Sequence, residues 1–139
     1  MKKILFSLLL LTFVLSTTNS QTKEDSIQLV QTGLDYLEGW YTADTARMNR
    51  ALHPELIKRR VIAEQGNILV ELTKPMMIEK TALHKIVPVK DQNIKIIILD
   101  IYGINASIRA ETNGFVDYLH MVKTDGHWSI INALWDKRN

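Results

Sequence analysis

The sequence predicts a single α+β domain, with helices in its first part and an antiparallel sheet in its last part. Apolar residues recur every three or four positions up to Asp91, whereas from Ile94 onward they follow the two-residue period of strands. The dipeptides Asn113-Gly114 and Asp125-Gly126 are strong signals for two-residue hairpin turns. A chain of 139 residues is long enough for one hydrophobic core and too short for two.

The first predicted helix runs from Ser26 to Asp44, and Asp25 or Ser26 can cap its start. Its apolar residues fall on one stripe, which a flanking row of larger side chains widens. Most of one side of this helix is therefore expected to be buried. The stripe consists of Ile27, Val30, Leu34, Leu37 and Tyr41, and the flanking row of Leu29, Tyr36 and Trp40.

A second, shorter helix is expected to follow a cap at Asp44 or Thr45. It ends before Pro54, because the residue that precedes a proline is disfavoured in the helical conformation. The next segment, from Leu56 to Ile62, is mixed in character and is compatible with a short strand or with further helix.

A third predicted helix starts at Thr73, accommodates Pro75 in its first turn and ends at Pro88. Its apolar contacts are expected to be Met76, Met77, Ile78, Leu83 and Ile86. After it the composition becomes β-branched and aliphatic, and Gly103 and the two turn signals divide it into strands. The four strands are expected at Ile94–Tyr102, Ala106–Glu111, Phe115–Lys123 and Trp128–Trp135.

The two hairpin turns predict which side chains share a face of the sheet. A two-residue turn pairs its flanking residues, so a regular ladder places Asp117 opposite Ala110 on one side and opposite Leu134 on the other. The face expected to meet the helices then holds Ala106, Ile108, Ala110, Asp117, Leu119, Met121, Trp128, Ile130, Asn132 and Leu134.

The opposite face is also largely apolar, which is unusual for a sheet that faces water. It is expected to hold Arg109, Glu111, Val116, Tyr118, His120, Val122, Ser129, Ile131, Ala133 and Trp135. We therefore expect a homodimer through this outer face. Its interface would include Tyr118, His120, Ile131 and Trp135.

Residues 1–20 have the layout of a secretory signal peptide. Two lysines precede a twelve-residue apolar run, which is too short to span a membrane, and small polar residues follow. Cleavage after Ser20 would leave Gln21 as the first residue of a domain that covers residues 21–139. The protein is therefore expected to be exported, either periplasmic or secreted, with no stable membrane anchor.

Charge and composition exclude several classes of protein. The chain has 17 Lys+Arg against 15 Asp+Glu, but the excess comes from Lys2 and Lys3 in the signal segment. The remaining domain is electrically balanced, so its net charge gives no reason to expect binding to nucleic acid or to anionic membranes. The run Lys58-Arg59-Arg60 is expected to be a solvated turn or strand edge.

No metal site or cofactor is expected. The chain has no cysteine, which excludes disulfides, thiolate nucleophiles and cysteine zinc sites. On the predicted hairpin, His120 and His127 lie about 14 Å apart, too far to share one ion. Glycine-rich phosphate loops and a nucleophile elbow are absent from the sequence.

Two stretches resemble the putative lumazine-binding family, which belongs to the nuclear-transport-factor-2-like superfamily near the SnoaL-like polyketide cyclases. The first is Tyr36–Tyr41, with Asp44 and Ala51–Leu56 after it, and the second is the terminal hairpin from Phe115 to Asn132. The resemblance covers most of residues 26–136. It implies a cone-shaped α+β fold, in which a strongly curved antiparallel sheet wraps the first helix and leaves a cavity. Many relatives dimerise through the outer face of the sheet.

Asp117 is the main candidate for chemistry, because the predicted register places this carboxylate on the apolar face toward the helices. Burial would raise its pKa toward that of a general acid or base, and relatives of the resembled superfamily such as ketosteroid isomerases use cavity carboxylates in this way. The alternative is that Asp117 accepts structural hydrogen bonds. The other residues expected to line the cavity are Tyr36, Trp40, Tyr41, His53, Trp128 and Asn132.

The sequence is compatible with three functions. The first is an exported domain that binds an unidentified small molecule in its cavity. The second is an isomerase, cyclase or dehydratase that uses Asp117 as general base. The third is an interaction module of the cell envelope whose cavity is vestigial.

Overall fold

The structure is a computed structural model that describes residues 23–138. The helices are α1 (Lys23–Thr42), α2 (Thr45–Ala51), α3 (Lys74–Ala82) and α4 (Val89–Gln92), with a 3₁₀ turn at Ala63–Gln65. The strands are β1 (Leu52–Ile62), β2 (Ile68–Thr73), β3 (Lys95–Tyr102), β4 (Asn105–Glu111), β5 (Phe115–Thr124) and β6 (His127–Lys137). The predicted signal peptide lies outside the described residues.

All six strands form one sheet in the order β2-β1-β6-β5-β4-β3. The α+β class is confirmed, but the expectation of an entirely antiparallel sheet is wrong because β1 runs parallel to β6. Parallel neighbours need a long crossover, and here the intervening helices α3 and α4 and the four strands β2 to β5 supply it. The segment Leu56–Ile62 belongs to β1, and the sequence pattern did not reveal β2, most of whose residues are exposed at the sheet edge.

Helix α1 lies across the sheet and approaches it closely at a glycine. A Cβ atom at Gly33 would lie 3.0 Å from the Ile96 side chain and 3.2 Å from that of Ile108, so a larger residue there would push the helix away. Gly39 has the same role toward α2, since a Cβ there would lie 3.0 Å from the backbone nitrogen of Met48. The buried stripe of α1 is thus fitted against both neighbours.

Helices α2 and α3 start where the sequence predicts. The Asp44 side chain caps α2 by accepting hydrogen bonds from the backbone N–H groups of Ala46 and Arg47, each at 3.0 Å. Helix α3 carries a proline in its first turn, but it ends at Ala82 and does not continue to Pro88. The chain leaves the helix there and turns back toward α1, so the expected buried contacts at residues 83 and 86 are absent and both side chains are exposed.

The register at the first hairpin is confirmed, and Asp117 pairs with Ala110. At the second hairpin the ladder is regular only as far as the pair Met121–Ile130, because a β-bulge follows and leaves one extra residue in β6. Asp117 therefore pairs with Trp135 and not with Leu134.

The bulge reverses the faces of the last part of β6. Ala133 and Trp135 lie on the helix-facing side, whereas Asn132 and Leu134 lie on the outer side. The prediction that Asn132 lines the interior is therefore wrong, and so is the assignment of Trp135 to the outer face. The hydrophobic core between helices and sheet includes Leu29, Tyr36, Leu37, Met48, Leu56, Ile108, Leu119, Met121, Ile130 and Ala133.

Candidate functional site

The most unusual feature of the interior is a cluster of three polar side chains from three different elements. Helix α1 contributes Tyr36, β1 contributes Lys58 and β5 contributes Asp117. The three are nearly inaccessible, with Asp117 0% and Lys58 5% exposed. Charged side chains are rarely buried to this extent unless they are paired.

The three side chains satisfy one another. The Lys58 ammonium donates to the Asp117 carboxylate and also to the Tyr36 hydroxyl oxygen. The Tyr36 hydroxyl in turn donates to the carboxylate of Asp117, 3.3 Å from each of its oxygens. Two of the three N–H bonds of the ammonium are therefore assigned, and its third remains available for another acceptor.

Burial shifts the titration of all three groups. It raises the pKa of Asp117, although the Lys58 charge and hydrogen bonds from Lys58 and Tyr36 oppose this rise. It lowers the pKa of Lys58, against the opposing attraction of Asp117. Burial and the negative charge of Asp117 together raise the pKa of Tyr36 well above its ordinary value. Tyr36 therefore stays protonated and serves as a hydrogen-bond donor at neutral pH.

Aromatic rings surround the ammonium of Lys58. Its nitrogen lies 4.7 Å from the ring centre of Trp135, 5.2 Å from that of Tyr36 and 5.7 Å from that of Phe115. These distances are within the range of cation–π attraction. The ring of Tyr41 lies 6.0 Å from that of Phe115 and continues the aromatic wall toward the end of α1.

The aromatic wall ends at a half-buried pair of rings. His84, in the segment after α3, lies 6.1 Å from Tyr41 and 4.1 Å from Trp40, measured between ring centres. Burial lowers the pKa of His84, although a backbone hydrogen bond with Lys85 opposes this. The wall thus connects the buried cluster to the protein surface between α1 and the segment that follows α3.

The structure brings together Tyr36, Trp40, Tyr41 and Asp117 from the residues predicted for the cavity, but not the others. Trp128 is buried near the opposite end of β6, about 20 Å along the strand from Trp135. There its ring N–H donates to Asp25, 3.0 Å away, at the start of α1.

The other two predicted residues are also engaged elsewhere. His53 accepts a hydrogen bond from the backbone N–H of Glu55 at 3.1 Å, which is a local structural contact. Asn132, on the outer face, bonds to His120 at 3.2 Å and to Arg59 at 3.2 Å. Neither contributes to the cluster.

Sequence reasoning missed Lys58 and assigned it to a solvated edge. That assignment is wrong for this residue, because β1 alternates and places it on the same buried face as Leu56. The signal that could have identified it is the unpaired carboxylate itself, since a buried Asp117 requires a cation and the apolar spacing around Lys58 fits a strand. Phe115, Trp135 and His84 were likewise not assigned to the site.

Several open grooves lie elsewhere on the molecule. On the outer face of the sheet, Val116, Tyr118 and Leu134 border a groove of about 410 Å³, which Trp135 also reaches. A second groove of about 260 Å³ on that face is bordered by His120 and Ile131. Within residues 23–138, no helix has the length and apolar character needed to cross a membrane. Over the same range, no three metal-ligating side chains are grouped as a metal site would require.

Solved structures share this architecture. An NTF2-like protein of unknown function from Shewanella baltica OS155 superposes with a TM-score of 0.67 at 19% identity, over 87% of this chain and 99% of its own. An NTF2-like protein of unknown function from Silicibacter pomeroyi DSS-3 gives a TM-score of 0.67 at 14% identity, over 85% and 100%. A ketosteroid isomerase-like protein from Erwinia carotovora atroseptica gives 0.60 at 13% identity, over 85% and 99%.

At these identities the similarity establishes the fold, and the fold implied by the sequence resemblance is confirmed as nuclear-transport-factor-2-like. A search of curated proteins finds no significant match. The family model described as putative lumazine-binding matches residues 23–136, which is nearly all of the described chain. The chain therefore belongs to the putative lumazine-binding family, built on the nuclear-transport-factor-2-like fold.

Proposed function

We propose that this chain is an exported protein that binds a small molecule at the cluster of Tyr36, Lys58 and Asp117. The observation that carries the proposal is the convergence of these polar groups beneath a continuous wall of aromatic rings. Ligand sites in proteins typically combine apolar and aromatic walls with a few polar groups that fix orientation. A cluster that only stabilised the fold would gain little, because an apolar replacement of a buried ion pair is often equally stable.

The available hydrogen bonds define the class of ligand. The third N–H of the Lys58 ammonium can donate to a carbonyl or anionic oxygen. The rings of Phe115 and Trp135 favour a flat, unsaturated molecule that stacks on them. A planar heterocycle with ring carbonyl groups meets both conditions, and the pteridine dione lumazine in the name of the family is of this kind.

The ligand must displace side chains to enter, because the cluster is closed to solvent. The rings of His84 and Trp40 are the half-buried end of the aromatic wall. His84 lies in an irregular segment, and such segments move at lower cost than packed helices. Entry between these two rings would expose the ammonium without disturbing the sheet.

A direct test compares binding in variants with matched fold. Lumazine and other planar keto-heterocycles would be titrated by calorimetry into the wild-type chain and into a variant with Tyr36→Phe, Lys58→Met and Asp117→Leu. We expect the variant to remain folded and to bind at least tenfold more weakly, because a hydrogen bond to a charged group is lost. The surface variant Glu71→Gln is the control and should bind normally. Equal binding by the folded triple variant would refute the proposed site.

Catalysis is the second candidate function, and one observation favours it. Burial raises the pKa of Asp117, as a general base requires. However, the carboxylate already pairs with Lys58, and it would have to exchange this contact for a substrate proton. Catalysis would appear in NMR spectra as deuterium exchange at the carbon next to the carbonyl of a bound keto compound. That exchange should disappear in Asp117→Asn, whereas binding without exchange would exclude this function for that compound.

We also propose a homodimer through the outer face of the sheet, and this face is the one an interaction module would use. Leu134 is 53% exposed there, beside the half-exposed Tyr118. Sedimentation velocity should show a dimer for the wild-type chain and a monomer for Tyr118→Asp, because a buried unpaired charge opposes association. Leu69→Asp, on the edge strand β2, is the control. A wild-type monomer, or an unchanged dimer in Tyr118→Asp, would refute this interface.

Export remains part of the proposal. Its support is the pattern of residues 1–20, which lies outside the described structure. Edman sequencing of the protein from a periplasmic or culture fraction should begin at Gln21. Recovery of the intact chain from the cytoplasm alone would contradict export.

A further inference from the structure

Residues 80–90, which run from the last turn of α3 to the start of α4, expose three large aliphatic side chains. Leu83 is 81% exposed, Ile86 64% and Val89 80%. Exposed single aliphatics are ordinary, but three within seven residues form a concentrated apolar surface. We call residues 80–90 the apolar-basic segment.

The same segment is locally positive. It contains the exposed residues Lys80, Lys85 and Lys90 and no acidic residue, although Glu79 and Asp91 border it. Within the part of the chain that the structure describes, none of the three lysines forms an ion pair. Their charges are therefore free to act on a partner.

The aliphatic side chains point outward although the segment itself is held in place. The Val87 N–H donates to the carbonyl oxygen of Tyr41 at 2.9 Å, and the Gln92 side chain donates to the carbonyl oxygen of Val87 at 2.8 Å. The ring of His84 packs on Trp40. The inner side of the segment is thus occupied, and the outer side has no neighbour within the domain.

We propose that the apolar-basic segment docks on an anionic lipid surface. Aliphatic side chains can enter the boundary between head groups and acyl chains, while neighbouring lysines bind the anionic head groups. Lysine also suits this position because its long stem lies along apolar material while its charge stays in water. The docked end of the molecule would be the one at which the aromatic wall reaches the surface.

Two other occupants fit the segment less well. A second copy in a two-fold arrangement would bring the same three lysines against these three, and like charges repel. A different protein would need a large complementary surface, and the centres of protein interfaces are depleted in lysine. A lipid surface requires neither shape complementarity nor a concave groove.

The electrical balance of the domain does not oppose this docking. Net charge averages over the whole surface, whereas attraction to anionic lipid decays within about 10 Å and depends on the charges near the membrane. Peripheral docking also needs no membrane-spanning helix. The docking proposal does not depend on the ligand assigned to the cluster, so either proposal can be refuted without affecting the other.

A site-specific fluorescent probe tests the proposal on the full chain. Because the sequence contains no cysteine, Ile86→Cys and Leu69→Cys can each be labelled with an environment-sensitive dye. On addition of vesicles containing about one-third phosphatidylglycerol, the dye at residue 86 should shift to the blue and brighten. The dye at residue 69, which is 54% exposed on the edge strand β2 and lies outside both the segment and the proposed dimer interface, is the matched control and should not respond.

Charge variants complete the test. Each lysine near an anionic surface contributes a factor of about five in partitioning, so Lys80→Gln, Lys85→Gln and Lys90→Gln together should raise the lipid needed for half response about a hundredfold. Pure phosphatidylcholine vesicles should give little response. No shift at residue 86, equal shifts at both labelled positions, or a response that the lysine variant leaves unchanged would overturn the proposal. A concentration-dependent shift without vesicles would indicate a second copy and would also overturn it.

Discussion

Removing the charge of Asp117 should destabilise the protein strongly. The substitution Asp117→Asn keeps the shape of the side chain and its ability to accept a hydrogen bond from Tyr36. However, it leaves the Lys58 ammonium in an interior position with no counter-charge. The protein must then keep an unpaired buried charge or deprotonate this lysine, and either outcome costs free energy of folding.

The expected loss in the free energy of unfolding is large because the Lys58–Asp117 pair is buried. Breaking a buried ion pair by removing one partner typically costs 3–5 kcal/mol, so Asp117→Asn should lower the free energy of unfolding by about 4 kcal/mol. Replacing all three members, with Tyr36→Phe, Lys58→Met and Asp117→Leu, removes the unpaired groups as well. That variant should recover most of the loss, to within about 1–2 kcal/mol of wild type.

Urea denaturation at pH 7, followed by circular dichroism, measures these differences. The control is Glu71→Gln, which removes the exposed partner of Arg59 and should cost less than about 1 kcal/mol. A loss below about 1 kcal/mol in Asp117→Asn would show that the carboxylate is not paired in the interior. A triple variant less stable than Asp117→Asn alone would show that the cluster itself stabilises the fold, which would weaken the argument for a binding role.

Three further outcomes follow from individual contacts. Asp44→Ala removes the cap of α2 and should lower the free energy of unfolding by about 1 kcal/mol in the same urea assay. Trp128→Phe deletes the hydrogen bond to Asp25 and should cost about 1.5–3 kcal/mol, because the acceptor is charged. The pKa of His84, followed by NMR, should lie below its ordinary value because burial favours the neutral ring. Since the folded pKa is depressed, the stabilisation from His84 is present above about pH 6.5 and is lost as pH falls through the folded value. A normal titration of His84 would contradict its burial against Trp40.

Local features of the chain were predictable, because their causes lie within a few residues. The Asn113-Gly114 turn fixes the pairing of Asp117 with Ala110. The spacing of apolar residues identifies α1 as a helix but places its buried side only in part, because Leu37 and Tyr41 of the predicted stripe are buried whereas Ile27 is 54% exposed. The cap at Asp44 follows from one side chain and the backbone N–H groups next to it. Such features do not depend on the rest of the fold.

The candidate site was only partly predictable, because its members meet through long-range pairing. Tyr36 and Asp117 are 81 residues apart and Lys58 lies between them on a strand whose neighbour is the last in the chain. A run of three basic residues gives no sign that its first member is buried, since the parallel neighbour of β1 cannot be read from local sequence. Trp135 was assigned to the wrong face of the sheet because the residue pattern of β6 does not indicate the bulge.

Deleting single residues of β6 tests the bulge directly. Ile131 is the extra residue between the pairs Met121–Ile130 and His120–Asn132, so its deletion restores a regular ladder and leaves both flanking pairs in place. It should cost only about 1–2 kcal/mol from lost apolar burial. Deleting Ala133 is the matched control. Even if the bulge absorbs that deletion, Asn132 must move into the buried position of Ala133.

An amide left without partners in that interior position costs a further 1–3 kcal/mol, so the Ala133 deletion should be clearly less stable in urea. In a strand without a bulge, each deletion would instead exchange the two faces over the residues that follow. The Ile131 deletion would then turn Trp135 away from Lys58 and should unfold the protein. Similar losses for the two deletions would therefore contradict the bulge, whereas a folded Ile131 deletion supports the register that brings Trp135 and Asp117 together.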